Sequence, residues 1–293
     1  MPATDGLYVA SKANIGGKDG ISLAPFFKAK HTLAKPPPPP RMYDYGIIHA
    51  CSLLIAKGIK VEGLEWQYES GADGNITITG LNNRHVTGDV IIPATIEGRP
   101  VTSIGRCALR YGAFDGGPID CKPIISDGGP ISVVIPNGVI SIGNFAFSGC
   151  HGLRQVVIPD SVRKIGIGAF SCCDGLTSVE IPGGVTEIGE RAFEDCEGLT
   201  RVIIKNGVTG IGFGSFNDCY NLVSVLIPDS MIRIGDHAFC NCHELTSITI
   251  PDSVVAIGEC AFRGCRGLMR VSVPVGIRNV GQGAFDLYPH LEV

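Results

Sequence analysis

The sequence predicts a solenoid: an α/β coil stack, mostly parallel β with short helical or 3-10 turns, winding as a right-handed curved pile of about eight coils. Three observations carry the expectation. A 23-residue period runs without insertion from Ile131 to Leu291. Turn residues mark fixed points of it, with glycine at Gly143 and every 23rd residue to Gly281. Proline stands at Pro136, Pro159, Pro182, Pro228, Pro251 and Pro274, and Lys205 takes its place in the remaining unit. Large apolar residues recur in the same phase, Phe147 to Phe285 and Leu153 to Leu291. Self-similarity at one period of about 20–50 residues marks units that must stack to bury their apolar side.

One coil shows the logic. In Leu176-Thr177-Ser178-Val179-Glu180-Ile181-Pro182, period-two alternation points Leu176, Val179 and Ile181 inward and Thr177, Ser178 and Glu180 outward. Pro182 ends the strand because it has no amide to donate. Gly183-Gly184 turns the chain, Val185 and Ile188 make a second inward segment, and Gly189 turns it again. Ala192-Phe193 then fills the interior from a brief helical turn. Stacking puts Phe on Phe and Leu on Leu, with strands about 4.8 Å apart. A degenerate earlier coil is visible in Val90-Ile91-Ile92-Pro93 and Ile104 to Leu109.

The flanking segments differ in kind. Residues 1–42 carry six basic residues against two acidic ones, +4 locally in a chain of net charge −4, which leaves −8 for the rest. Pro36 to Pro40 favour an extended rod, so this arm reads as basic, proline-rich and extended. Residues 43–89 read as an N-terminal cap. Ile47, Ile48, Cys51, Leu53, Leu54 and Ile55 suit one short helix ending near Gly58. Trp66-Gln67-Tyr68 and Ile76 to Thr79 around Asp73-Gly74 suit a hairpin. The solenoid then occupies 90–293, with an inserted loop at 111–130 that repeats Asp-Gly-Gly-Pro.

Composition excludes several functions. Hydrophobic residues make up 44% and charged residues 18%, enough for a core. A pI near 6.0 argues against nucleic acid as a partner. The longest apolar stretch, 46–56, is broken by His49 and is too short for an integral membrane span. Residues 1–20 contain no apolar signal core, so the expected location is intracellular, with the cell surface as the alternative. On that basis the 12 cysteines read as thiols.

The pattern Ile-Pro-x-x-Val-x-x-Ile-Gly-x-x-Ala-Phe-x-x-Cys-x-x-Leu resembles the BspA-type leucine-rich repeat, over roughly residues 90–293. The resemblance implies a leucine-rich-repeat solenoid. It further implies a role as a cell-surface adhesin or a protein-binding scaffold.

Candidate chemistry is sparse. Cys150, Cys173, Cys196, Cys219, Cys242 and Cys265 form a ladder of period 23, which suits compact buried fillers better than a disulfide column. Cys240, Cys242 and His243 with His237 nearby are the best metal candidates, but the ladder directs Cys242 inward, away from the others. Gly210-Ile211-Gly212-Phe213-Gly214 is a set of coil corners without the long helix that a dinucleotide loop requires. No catalytic residue, metal or cofactor is expected.

The outward strand positions are more informative. Stacking should form one column of Val157, Glu180, Ile203, Leu226, Thr249 and Ser272, and beside it Gln155, Ser178, Arg201, Ser224, Ser247 and Arg270. Apolar spots rimmed by charge mark partner contacts. The expected partner-binding set is Val157, Glu180, Arg201, Ile203, Leu226, Thr249, Arg270 and Ser272. The expected function is a non-enzymatic scaffold that binds a protein partner through this sheet face. Alternatives are a structural subunit of a large complex anchored by the arm, and an adhesin.

Overall fold

A computed structural model describes residues 65–81, 88–110 and 129–285; the proline-rich arm, the helix expected within 43–60 and most of the 111–130 insertion lie outside them. Eight front strands succeed one another along the chain: 89–91, 132–134, 155–157, 178–181, 201–204, 224–226, 247–249 and 270–272. A second column of two-residue back strands runs from Ser141–Ile142 to Asn279–Val280. Pairing within each column is parallel and in steps of 23, as in Ser178↔Arg201 and Ile188↔Ile211. The protein is a parallel-sheet solenoid of about eight coils.

The first step departs from 23. Ile104 pairs with Ile142, 38 residues on, and Asp89 pairs with Ser132, 43 residues on. Fifteen extra residues therefore lie between the first two back strands, across the 111–130 segment. The other five belong to a small hairpin in which Thr95–Ile96 pairs antiparallel with Arg99–Pro100. Glu97 and Gly98 turn that hairpin with φ of 51° and 75°, as a tight hairpin turn requires. Upstream, Trp66–Ser70 and Ile76–Leu81 form an antiparallel hairpin whose second strand pairs in parallel with Arg99–Ile104. This closes the N-terminal end of the back sheet.

The core is a single file of rings. Phe147, Phe170, Phe193, Phe216, Phe239 and Phe262 are fully buried, and neighbouring centroids lie 5.0–5.4 Å apart with planes within 8°. The recurring glycine serves close approach more than turning. A Cβ on Gly189 would sit 2.4 Å from the Ile165 carbonyl oxygen, and the corner glycines from Gly143 to Gly281 meet backbone or side-chain atoms at 2.3–2.8 Å. Only glycine lets the coils stack at this corner.

The short helical or 3-10 turns expected after that corner are absent among the described residues. The reason is a division of labour between amides. Phe145, Phe147 and Gly149 donate to Ile167, Ala169 and Ser171 of the next coil at 2.7–2.8 Å. Ala146, Ser148 and Cys150 close isolated turns onto residues three earlier, at 3.2–3.3 Å. A 3-10 helix needs such bonds on consecutive residues, and alternate ones are spent between coils.

This path places two residues per coil in the left-handed region. The first column holds Gly168, Gly214 and Gly283 but also Phe145, Arg191, His237 and Cys260, with φ of 53–65°. A side chain there costs about 1–2 kcal/mol, and glycine in the unfolded chain gives back about 0.5–1 kcal/mol of that relief. Cys260→Gly should therefore raise stability by about 0.5–1 kcal/mol, read as a later denaturation midpoint. A lower midpoint would refute strain at this position.

Candidate functional site

The front sheet places the expected partner-binding residues by register. Glu180 pairs with Ile203 and Ile203 with Leu226, while Ser178, Arg201 and Ser224 run alongside. Thr249 pairs with Ser272, and Ser247 with Arg270, in a separately paired ladder further along the same columns. Arg201, Thr249, Arg270 and Ser272 are exposed, Val157 and Ile203 are half-buried, and Leu226 is 59% exposed. Val223, the residue before the Ser224–Leu226 strand, is 48% exposed.

Glu180 is already engaged. The Lys205 ammonium lies 2.5 Å from its carboxylate and 3.7 Å from Asp160. Lys205 stands where other coils have proline, so the broken repeat position installs a cation that reaches back across the preceding coils. The Glu180 hydrogen bond is the main cause that raises the Lys205 pKa above the usual lysine value. The result is an apolar spot of Ile203 and Leu226, edged by Arg201 on one side and a Lys205–Glu180 pair on the other.

The cysteine ladder is buried and free. Each thiol from Cys173 to Cys265 donates to the carbonyl of a phenylalanine 26 residues earlier, at 3.1–3.3 Å. A small apolar side chain with a weak donor suits that carbonyl. Burial raises the pKa of Cys150, Cys173, Cys219 and Cys242 well above the ordinary thiol value. Cys107 is disulfide-bonded, which corrects the reading of every cysteine as a thiol.

The metal candidates do not converge. His237 tilts on Phe213 at 5.5 Å and His243 stacks on Tyr220 at 5.1 Å, while Cys242 belongs to the interior ladder. No group of three or more His, Cys, Asp or Glu suited to a metal occurs among the described residues. Gly210 and Ile211 form a back strand and Gly212 is its corner, with no helix following. No helix long and apolar enough to cross a membrane occurs among the described residues.

A second concave feature escaped the sequence reading. On the turn edge, Phe145, Ile167, Gly168, Ser171, Glu190, Arg191, Glu194 and Phe213 line a cleft of about 420 Å³. The signal was available: the column Asn144, Ile167, Glu190, Phe213, Asp236, Glu259 and Gln282 is polar except at the two residues that wall this cleft.

Comparison with known proteins agrees with the geometry. A model of the BspA type leucine rich repeat region matches residues 130–246 and 232–292, in six copies. The crystal structure of a leucine-rich-repeat protein of T. pallidum is 30% identical, covering 69% of this chain and 87% of that one at a TM-score of 0.58. A leucine-rich cell surface protein of Faecalibacterium prausnitzii is 21% identical, covering 76% and 94% at a TM-score of 0.34. A leucine-rich-repeat protein of Bacteroides capillosus is 27% identical, covering 50% and 97% at 0.38. No curated protein matches the chain. With the repeat model spanning more than half its length, the chain belongs to the BspA-type leucine-rich-repeat family.

Proposed function

We propose that the protein is a non-enzymatic scaffold that binds another protein through its front sheet. The supporting observation is the in-register pair Ile203↔Leu226, with Leu226 more than half exposed. Exposed apolar side chains rimmed by charge are the surface feature most closely tied to partner contact. The Ile203 strand is paired on both sides and the Leu226 strand on one, so a partner would meet a largely pre-ordered surface that spends little ordering entropy on association. Buried inert thiols and dispersed histidines favour binding over catalysis. The Cys107 disulfide supports an oxidising location, and thus the surface alternative over the intracellular one.

The test uses the full chain, purified from native cells with its partners and quantified by mass spectrometry. Ile203→Asp with Leu226→Asp should reduce partner recovery more than tenfold, as loss of a central hot spot does. Val275→Asp adds a carboxylate at an 87% exposed site elsewhere and should leave recovery unchanged. Both variants should melt like the parent chain, since none of the three positions is in the core. Equal recovery by parent and double variant would overturn the front sheet as the binding face. The same sample, digested without reductant, reads whether Cys107 is bonded.

A further inference from the structure

The turn-edge cleft is independent of the front sheet, and four observations make it more than a surface irregularity. Its walls are apolar where the same column is polar in every other coil: Ile167 is 39% exposed and Phe213 is 38% exposed. Gly168 leaves room for the Phe145 ring, which a Cβ there would meet at 2.5 Å, so that ring can lie against Gly168 and line the notch. Phe145 itself is held at φ 56°, in a column where three other coils use glycine. Phe145 takes no part in the interior ring file, which is built from Phe147.

The fourth observation is charge. Glu190 and Glu194 line the cleft, and Asp195 and Asp218 lie near enough to Glu194 to act on its charge. Arg191 is the one cation lining it, and its guanidinium is committed to the Phe213 ring at 5.3 Å and to Glu194 at 3.8 Å. Burial comes first among the causes that raise the Glu194 pKa, and neighbouring Asp195 and Asp218 add to it. An occupant that matches this cleft carries a large apolar side chain with cations beside it.

The sequence holds such a segment: Phe26-Phe27-Lys28-Ala29-Lys30 contains the chain's one Phe-Phe pair and two of the lysines that make the arm basic. Residues 31–64 separate it from the first described hairpin, and at about 3.3 Å per extended residue they can span on the order of 100 Å. The cleft covers four coils, about 15 Å of stack. Reach is therefore no obstacle, and the cost of closing a loop grows only slowly with its length. We propose that the cleft is the docking site for residues 26–30 of the same molecule, with a phenylalanine between Phe145 and Phe213 and the lysines facing Glu190 and Glu194.

Zero-length carbodiimide crosslinking of the dilute full chain, followed by peptide mapping of the monomer band, tests this. Lys28 or Lys30 should be joined to Glu190 or Glu194, and the yield should fall at least fivefold in Phe26→Ser with Phe27→Ser. Phe213→Ser should lower it equally while leaving the melting transition in place, because Phe213 is outside the core. Such links no more frequent than those from Lys12 or Lys18, or confined to a dimer band, would overturn the assignment.

Discussion

Phe193→Ala should cost about 3–5 kcal/mol, the range for deleting a buried aromatic ring. The ring sits mid-file, 5.2 Å from Phe170 and 5.4 Å from Phe216, and is fully buried. Its loss removes two stacking contacts at once and leaves a cavity that the corners cannot close. The coil spacing is fixed there by glycine corners packed against backbone, so collapse is barred. Because each coil touches only its neighbours, stability is a sum of coil terms and interface terms, and one weak interface uncouples the halves. The chain's one tryptophan, Trp66, lies in the N-terminal hairpin and reports that half. In the parent chain, Trp66 fluorescence and far-ultraviolet circular dichroism should lose structure at one denaturant concentration. In Phe193→Ala the two midpoints should separate. Coincident midpoints with a loss under about 1 kcal/mol would mean the rings are not what couples the coils.

What the sequence made legible follows from how repetition works. Side chains that face the interior are dictated by the same neighbours in every coil, so Phe147, Phe170 and Phe193 announce their stacking by period. The outward columns were equally legible, since parallel pairing in steps of 23 leaves no freedom of register. Backbone detail was less so. Ala192-Phe193 looks like a helical turn because its amides are adjacent in sequence, yet Phe193 donates to Ser215 of the next coil. Bonds to a neighbouring coil leave no local trace. The same holds for Lys205: the sequence shows only a missing proline, and the reach to Glu180 and Asp160 needs the stack. The cleft was hidden for another reason. It arises where Gly168 admits the Phe145 ring beside exposed residues of adjacent coils, and deviations from a repeat are quieter than the repeat itself.

The second large effect is alkaline unfolding. Four fully buried thiols, Cys150, Cys173, Cys219 and Cys242, have pKa values raised above the ordinary 9.0, in each case first by burial. In the unfolded chain these thiols ionise near pH 9; in the folded chain they stay protonated well beyond it. The folded state therefore binds more protons above pH 9, and stability must fall as pH rises. Below pH 9 nothing is lost, because the thiols are neutral in both states. Each thiol contributes about 1.4 kcal/mol per pH unit above that point, so four remove about 6 kcal/mol at pH 10, and Cys172 and Cys240, pushed up to about 12 and about 11 first by burial, act in the same direction. That is comparable to the whole stability of many domains. Deprotonation of Lys205 acts in the same direction, but an exposed ion pair is worth only about 0–1 kcal/mol. The ladder therefore sets the size of the effect. Denaturation midpoints measured from pH 7 to 10.5 should be flat to about pH 9 and then fall steeply. Cys173→Ala with Cys219→Ala should start less stable yet show an alkaline slope shallower by about a third, two of the six raised thiols being gone. An unchanged slope in that variant would show that the linked protons come off other groups, and that the ladder thiols are reached by solvent.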